Sequence, residues 1–246
     1  MTTIASSPTI ILIAGHWLGA WAWEDVLEHL KADHSRATAM TLPGLDADDP
    51  ERAARTLDDQ VAAVVDLFAR LGVSEEQRAV IVAHSGANAP VSLVLDRHPE
   101  LVQRVVWFDS GPMATGSAFA PDLPEEVDEL PLPSFDVLGQ QASLDGLSAD
   151  VLDRIRARAI PEPDCVLRQP VELTNDARNG VPTTLVCCSI PSVQMLEMAR
   201  GGHPMFTEVA KLQNVDVIDL ATGHWPMWSR PRDLAEVIQS EASRIG

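Results

Sequence analysis

The chain has 246 residues, which suits one domain of generous size or two small ones. With 46% hydrophobic and 22% charged residues it is neither disordered nor fibrous. Eighteen basic residues against 36 acidic ones leave a net charge of −18, which repels phosphate backbones and anionic lipid and points away from nucleic acid and membrane partners.

Residues 1–7 carry no basic stretch and no long apolar run, so no signal peptide is expected. Residues 9–14 (Thr-Ile-Ile-Leu-Ile-Ala) are continuously apolar, as in a strand buried on both faces. Residues 36–42 read as a weaker strand. Leu57, Val61, Val64, Val65, Phe68 and Leu71 recur at the spacing of one helical face. Thr56 stands where an N-cap belongs, Asp59 lies three residues on, and Gly72 supplies the stop.

Residues 79–83 and 104–108 are strong strand candidates. The next stretch, 112–179, breaks the rhythm. It holds many prolines, the acidic cluster Glu125, Glu126, Asp128 and Glu129, and one short helix candidate at 150–160, but no convincing strand. A crossover of that length is too long for a plain connection, so it is expected to form a cap over the C-terminal sheet edge, where open α/β sheets bind ligands. Strands at 183–188 and 215–220 follow. A last helix begins at Pro231, with Leu234, Val237, Ile238 and Ile245 as its apolar stripe. The expected organisation is a core of residues 1–111 and 180–246 interrupted by the 112–179 cap. The core is a mainly parallel sheet of about six strands with helices on both faces.

Three loops carry chemistry. Val82-Ala83-His84-Ser85-Gly86-Ala87 follows a strand and opens a helix. A small residue two before and two after Ser85 fits the tight turn that holds a nucleophilic serine at a sheet edge. Alanine stands at both places where glycine is usual. The bland alternative is a serine that only caps its helix. Gly223-His224-Trp225-Pro226 follows the last strand, where a histidine can reach that serine as general base; otherwise it packs against Trp225 and Trp228. Ile13-Ala14-Gly15-His16-Trp17 follows the first strand. The backbone N–H of His16 there, with that of Gly86, could receive an oxyanion; a plain strand-ending turn is the alternative.

Residues 15–23 resemble the H-G-x-W-x-G-x-W-x-W opening of the α/β-hydrolase family, in particular its small methyl-esterase and hydroxynitrile-lyase branch and bacterial relatives. Leu42-Pro43-Gly44 resembles that branch's D-L-P-G-H-G loop, and Gly223 to Pro226 its G-H-x-P loop. The resemblance runs from about Thr9 to the C-terminus and implies an α/β-hydrolase fold with a cap. It departs in three places, one being the D-L-P-G-H-G loop, which reads Thr41-Leu42-Pro43-Gly44-Leu45-Asp46 here. Ala14 stands for the usual histidine, and the stretch after the fifth strand, Cys188-Ser189-Ile190-Pro191, lacks the usual acid. Asp109, at the end of the strand after the nucleophile's, keeps the chain order Ser-Asp-His and is the best substitute. Some family branches put their acid there. A strand-end aspartate capping its own turn is the alternative role, and Asp176 and Asp219 are the rival acids.

The expected function is hydrolysis of a carboxylic ester or related acyl bond. Ser85 would be nucleophile, His224 base, Asp109 the orienting acid, and His16 and Gly86 the oxyanion donors, with no metal or organic cofactor. Two rivals are a cofactor-free dioxygenase or C–C bond-cleaving enzyme using His224 and Asp109, and a non-catalytic ligand-binding protein. The serine argues against the aspartate chemistry of epoxide hydrolases and dehalogenases. No lysine follows His224, which disfavours cyanohydrin cleavage. Trp17, Phe119, Phe135 and Trp225 are the expected pocket residues, and Leu130, Leu132 and Val137 add to an apolar wall. Three cysteines make no disulfide framework and no metal set, which fits a reducing, cytoplasmic setting with Cys187 and Cys188 as buried small hydrophobes. Oligomeric state is left open.

Overall fold

The computed structural model describes residues 8–32 and 35–244. The leader reading at residues 1–7 and the apolar position Ile245 lie outside the described residues. In chain order the first elements are β1 (Thr9–Ile13), α1 (Glu24–Ala32), β2 (Arg36–Met40), α2 (Leu57–Leu71), β3 (Ala79–His84), α3 (Asn88–Arg97) and β4 (Val102–Phe108). The segment after β4 holds β5 (Glu129–Leu130), α4 (Phe135–Gln141), α5 (Ala149–Arg158), β6 (Glu162–Pro163) and α6 (Asp164–Arg168). The chain closes with β7 (Thr183–Cys187), α7 (Ser192–Arg200), β8 (Val215–Asp219), α8 (Pro226–Ser229) and α9 (Pro231–Ser243).

Six strands form one parallel sheet in the order β2-β1-β3-β4-β7-β8. Side chains alternate across a strand, and here both faces are buried. Ile11, Ile13, Ile81, Ala83, Val105 and Trp107 pack on one face under α2, α3 and α7. Ile10, Leu12, Val80, Val82, Val106 and Phe108 pack on the other under α1, α8 and α9. That double burial is why these strands read as unbroken apolar runs. β2 and β8 are the sheet edges and are only partly buried, which is why 36–42 read weakly.

Strand order reverses between β1 and β3, since β1 leads outward to β2 and the chain then returns to the far side. The crevice beyond the C-terminal ends of such a pair is where doubly wound sheets bind ligands. The Gly15–Trp17 loop and the Ser85 turn both leave the sheet there.

The segment between β4 and β7 differs from its expected lack of strand. Glu129–Leu130 pairs antiparallel with Glu162–Pro163. Two residues per strand, one a proline, carry no periodicity, so only long-range pairing reveals them. The helix expected at 150–160 is α5; α4 and α6 were not foreseen. Asp96 ties the far end of the segment to α3, accepting the backbone N–H groups of Thr174 and Asn175 at 2.8 Å each.

The Thr56 cap forms as expected. Its side chain accepts the Asp59 N–H, the Asp59 carboxylate accepts the Thr56 N–H, and Gly72 ends α2 at φ +74°. Thr56→Ala removes one half of this reciprocal pair and is expected to lower stability by about 1 kcal/mol, read as a shift of the urea midpoint at unchanged m-value.

Candidate active site

Among the described residues only three non-glycine residues have positive φ: Trp17 (+64°), Ser85 (+50°) and Asp109 (+45°). Each directly follows, or lies a few residues beyond, the C-terminal end of an inner strand: β1, β3 and β4. Left-handed backbone at a non-glycine residue is strained, and a bulky tryptophan bears it least readily. Here it turns three side chains into one crevice.

Ser85 directly follows β3 and opens the helical turn that continues into α3. Ala83 and Ala87, two residues either side, are fully buried, so the turn has room only for small side chains. The Ser110 hydroxyl donates to the Ser85 carbonyl at 2.9 Å and fastens the turn to the end of β4. His224 Nε2 lies 2.8 Å from Ser85 Oγ, and His224 Nδ1 lies 2.6 Å from Asp109 Oδ2.

Asp109 is buried and satisfied on both oxygens. Oδ1 accepts the N–H of Cys188 at 3.0 Å and of Ser189 at 2.8 Å. Oδ2 accepts the Ser189 hydroxyl at 2.5 Å as well as the His224 ring. The stretch that lacks an acid therefore supplies donors to an acid from the neighbouring strand. Burial alone would push the Asp109 carboxyl up, but the hydrogen bond and charge of His224, with the Ser189 donors, outweigh it and hold the group at about 2. An ionised carboxylate can only accept, so His224 Nδ1 carries the proton and Nε2 faces the serine hydroxyl as acceptor.

The rival acids lie elsewhere. Asp219 accepts the N–H and hydroxyl of Ser192 at the start of α7. The Asp176 side chain is 91% exposed beside Arg178.

The His224 loop is held from two sides. Its N–H donates to the Ser143 carbonyl, between α4 and α5, at 2.8 Å. Its carbonyl lies 2.8 Å from Nε2 of the fully buried His84. Burial, then the charge of His224, push the His84 imidazole down to about 3, so His84 is neutral and donates that bond through Nε2–H. Gly223 has no room for a Cβ, which would meet the Asp145 carbonyl oxygen at 2.4 Å.

On the β1 side, Gly15 admits no Cβ either, since one would lie 2.7 Å from Ser85 Cβ. The His16 N–H has no hydrogen-bond partner among the described residues. The Gly86 N–H sits in the first turn of its helix, where N–H groups lack intrahelical acceptors. The adjacent Trp17 N–H is already bonded, to Glu162 Oε1 at 3.1 Å.

These residues surround one cavity of about 630 Å³. His16, Trp17, Ser85, Gly86, Asp109, Phe119, His224 and Trp225 all line it. Phe135 does not, which corrects its expected role. Its ring lies under the Arg156 guanidinium at 4.7 Å, and Leu138, one turn further along α4, faces the cavity instead. Val137 is exposed. The sequence reading also missed the wall made by Met195, Met205, Phe206 and Val209, from α7 and the loop after it. Among the described residues no lysine or arginine lines the cavity. Cys187 and Cys188 are buried. Burial, then nearby carboxylates, push the Cys187 thiol up to about 12 and the Cys188 thiol higher, so both stand as neutral thiols. No group of three His, Cys, Asp or Glu among the described residues could hold a metal ion, and no helix among them is long and apolar enough to cross a membrane.

The fold and this site meet in a family. Residues 10–237 match the model of the Alpha/beta hydrolase family, and the chain belongs to it. Its curated relatives include Methylesterase 4 of Arabidopsis thaliana, 31% identical over 114 residues, which are 46% of this chain and 40% of that protein. Esterase PIR7B of Oryza sativa subsp. japonica is 31% identical over 105 residues, 42% of this chain and 38% of that protein. The aligned stretches thus span less than half the length of these relatives. Similar solved structures include an extracellular α/β-hydrolase from a Paenibacillus species, with a TM-score of 0.74 at 20% identity, covering 96% of this chain and 99% of that one. The methylesterase MES16 of Arabidopsis gives a TM-score of 0.71 at 16% identity, covering 96% and 99%. At such identities the likeness is one of fold.

Asp109 makes acid stability a test of this geometry. Its carboxylate is favoured in the folded state, so the stability it adds is full above the unfolded value near 4 and is lost as pH falls toward about 2. Asp109→Asn is expected to unfold with a shallower dependence on pH between about 4 and 2 than the parent, measured by urea melts at stepped pH.

Proposed function

We propose that the protein is a serine hydrolase that cleaves a carboxylic ester, or a related acyl bond, of a small uncharged substrate. The observation that carries the reading is the hydrogen-bonded chain Ser85–His224–Asp109, at 2.8 and 2.6 Å, on a strained turn opening into the cavity. The esterase names of its curated relatives support the same reading.

Ser85 Oγ attacks the acyl carbon as His224 Nε2 takes its proton. The carbonyl oxygen becomes an oxyanion between the N–H groups of His16 and Gly86. The tetrahedral species collapses, and the imidazolium returns its proton to the departing alkoxide, which leaves as the alcohol. A water then attacks the acyl-serine by the same steps, releasing the acid and restoring Ser85. Asp109 stays ionised throughout; it fixes the histidine tautomer and stabilises the imidazolium. The 112–179 segment acts as a cap. Phe119 lies at the cavity mouth, and the apolar wall without lysine or arginine favours a neutral, largely apolar substrate.

Ser85→Ala is expected to lower turnover of a chromogenic butyrate ester by about 10³-fold or more with its circular dichroism unchanged. Asp109→Asn should cost on the order of 10²–10⁴. In the parent, a fluorophosphonate probe should add to Ser85, as read by peptide mass spectrometry; a parent that neither turns over esters nor takes the probe would end the hydrolase reading. The position of the acid on β4 favours one rival, the cofactor-free oxygenase. That rival requires oxygen uptake with a hydroxyquinolone-type substrate that survives Ser85→Ala.

Phe119→Ala should change the ratio of kcat/KM between short and long acyl esters more than it changes Tm. A fall in Tm with unchanged ratios would make Phe119 a packing residue and not a cap residue.

A further inference from the structure

A second histidine–carboxylate pair stands behind the cavity wall, where only the histidine, His16, lines the cavity, and the mechanism above uses only that histidine's backbone. His16 Nδ1 lies 3.0 Å from Glu162 Oε1, with the two side chains 9% and 2% exposed. The same oxygen accepts the Trp17 N–H, so it serves as acceptor and His16 Nδ1 as the donor to it. A neutral imidazole with its proton on Nδ1 has a lone pair on Nε2. That Nε2 has no hydrogen-bond partner among the described residues. Unlike Nδ1 of His84 it is not sealed from solvent, because His16 lines the cavity.

The ring's position is tightly set. Phe119 packs on it with ring centroids 4.0 Å apart. Its Cδ2–Nε2 edge lies against Gly86 so closely that a Cβ there would sit 2.3 Å from Nε2. A mere tie between the loop and the inserted segment would need only the Trp17 N–H and Glu162. The imidazole adds an acceptor beside Gly86, the residue that follows Ser85.

We infer that His16 Nε2 is a specificity-determining acceptor for a hydroxyl or N–H group borne by the substrate next to its acyl carbonyl, with Glu162 as the positioning residue that fixes its tautomer. The substrate class is then esters of hydroxy acids in preference to their deoxy counterparts. The inference deepens the hydrolase reading and rests on the cavity being the substrate site.

The test separates binding from hydrolysis. Calorimetry on Ser85→Ala compares methyl mandelate, as each enantiomer, with methyl phenylacetate, which lacks only the hydroxyl. One neutral hydrogen bond is expected to make one mandelate enantiomer bind about three- to tenfold tighter. In Ser85→Ala with His16→Phe that ratio should fall to one. Equal affinities in Ser85→Ala, or a ratio that survives His16→Phe, would overturn the inference. On Ser85→Ala itself, ¹⁵N NMR of the His16 ring should show a protonated Nδ1 and a bare Nε2 whose resonance moves when the hydroxy ester binds. A protonated Nε2 in the free protein would also overturn it. Hydrolysis of both esters by the parent without discrimination ends the inference and leaves the hydrolase reading. Discrimination in binding with no hydrolysis by the parent ends the hydrolase reading and leaves the acceptor site.

Discussion

A buried carboxylate must be met by donors, and Asp109 sets the terms for much of this end of the sheet. Four contacts satisfy it: the N–H groups of Cys188 and Ser189, the Ser189 hydroxyl and the His224 ring. They come from the ends of two neighbouring regions, after β7 and after β8. One charge therefore fixes where β4 stops, how the chain leaves β7, and which way the histidine faces. Leaving any of those donors off would strand a charge in an apolar setting, a far larger penalty than a lost surface contact. The orientation of His224 toward Ser85 follows from that local need.

Polar contacts join the inserted segment to the same region, beside the apolar packing of Leu138 and Ile155. Glu162 receives the Trp17 backbone, and Leu130 accepts the Trp17 indole N–H at 2.9 Å. The Ile160 N–H donates to the Trp17 carbonyl at 3.0 Å. Trp17 is thus held at backbone N–H, backbone carbonyl and ring. Such a grip is what a tryptophan at φ +64° requires, since the surroundings must over-determine a strained backbone. Ser143 does the equivalent for the His224 loop.

The core was legible because its signals are local. Both faces of β1, β3 and β4 are buried, so each shows as an apolar run, and the α2 cap lies within a few residues of its helix. Ser85, His224 and Asp109 were legible through position at strand ends, and the absent acid after β7 directed attention to β4. Glu162 was not. It lies between Pro161 and Pro163 in a stretch without periodicity, and its partners are more than a hundred residues away. The one signal available was a carboxylate set between two prolines. Phe135 failed for a related reason. Composition marked it as apolar, but which side of α4 meets the cavity depends on how α5 and Arg156 cover the other.

The grip of Glu162 on Trp17 bears on how such proteins diversify. Insertions between the strands of a common sheet are often treated as exchangeable parts, traded to change what a pocket accepts. Here the trade would not be clean. A replacement insertion lacking a carboxylate at that spot would leave the Trp17 N–H without its acceptor and His16 without its anchor. The first loop of the sheet would then have to find a new conformation. Sheet and insertion in this chain are one inherited unit, and changes to either are constrained by the other.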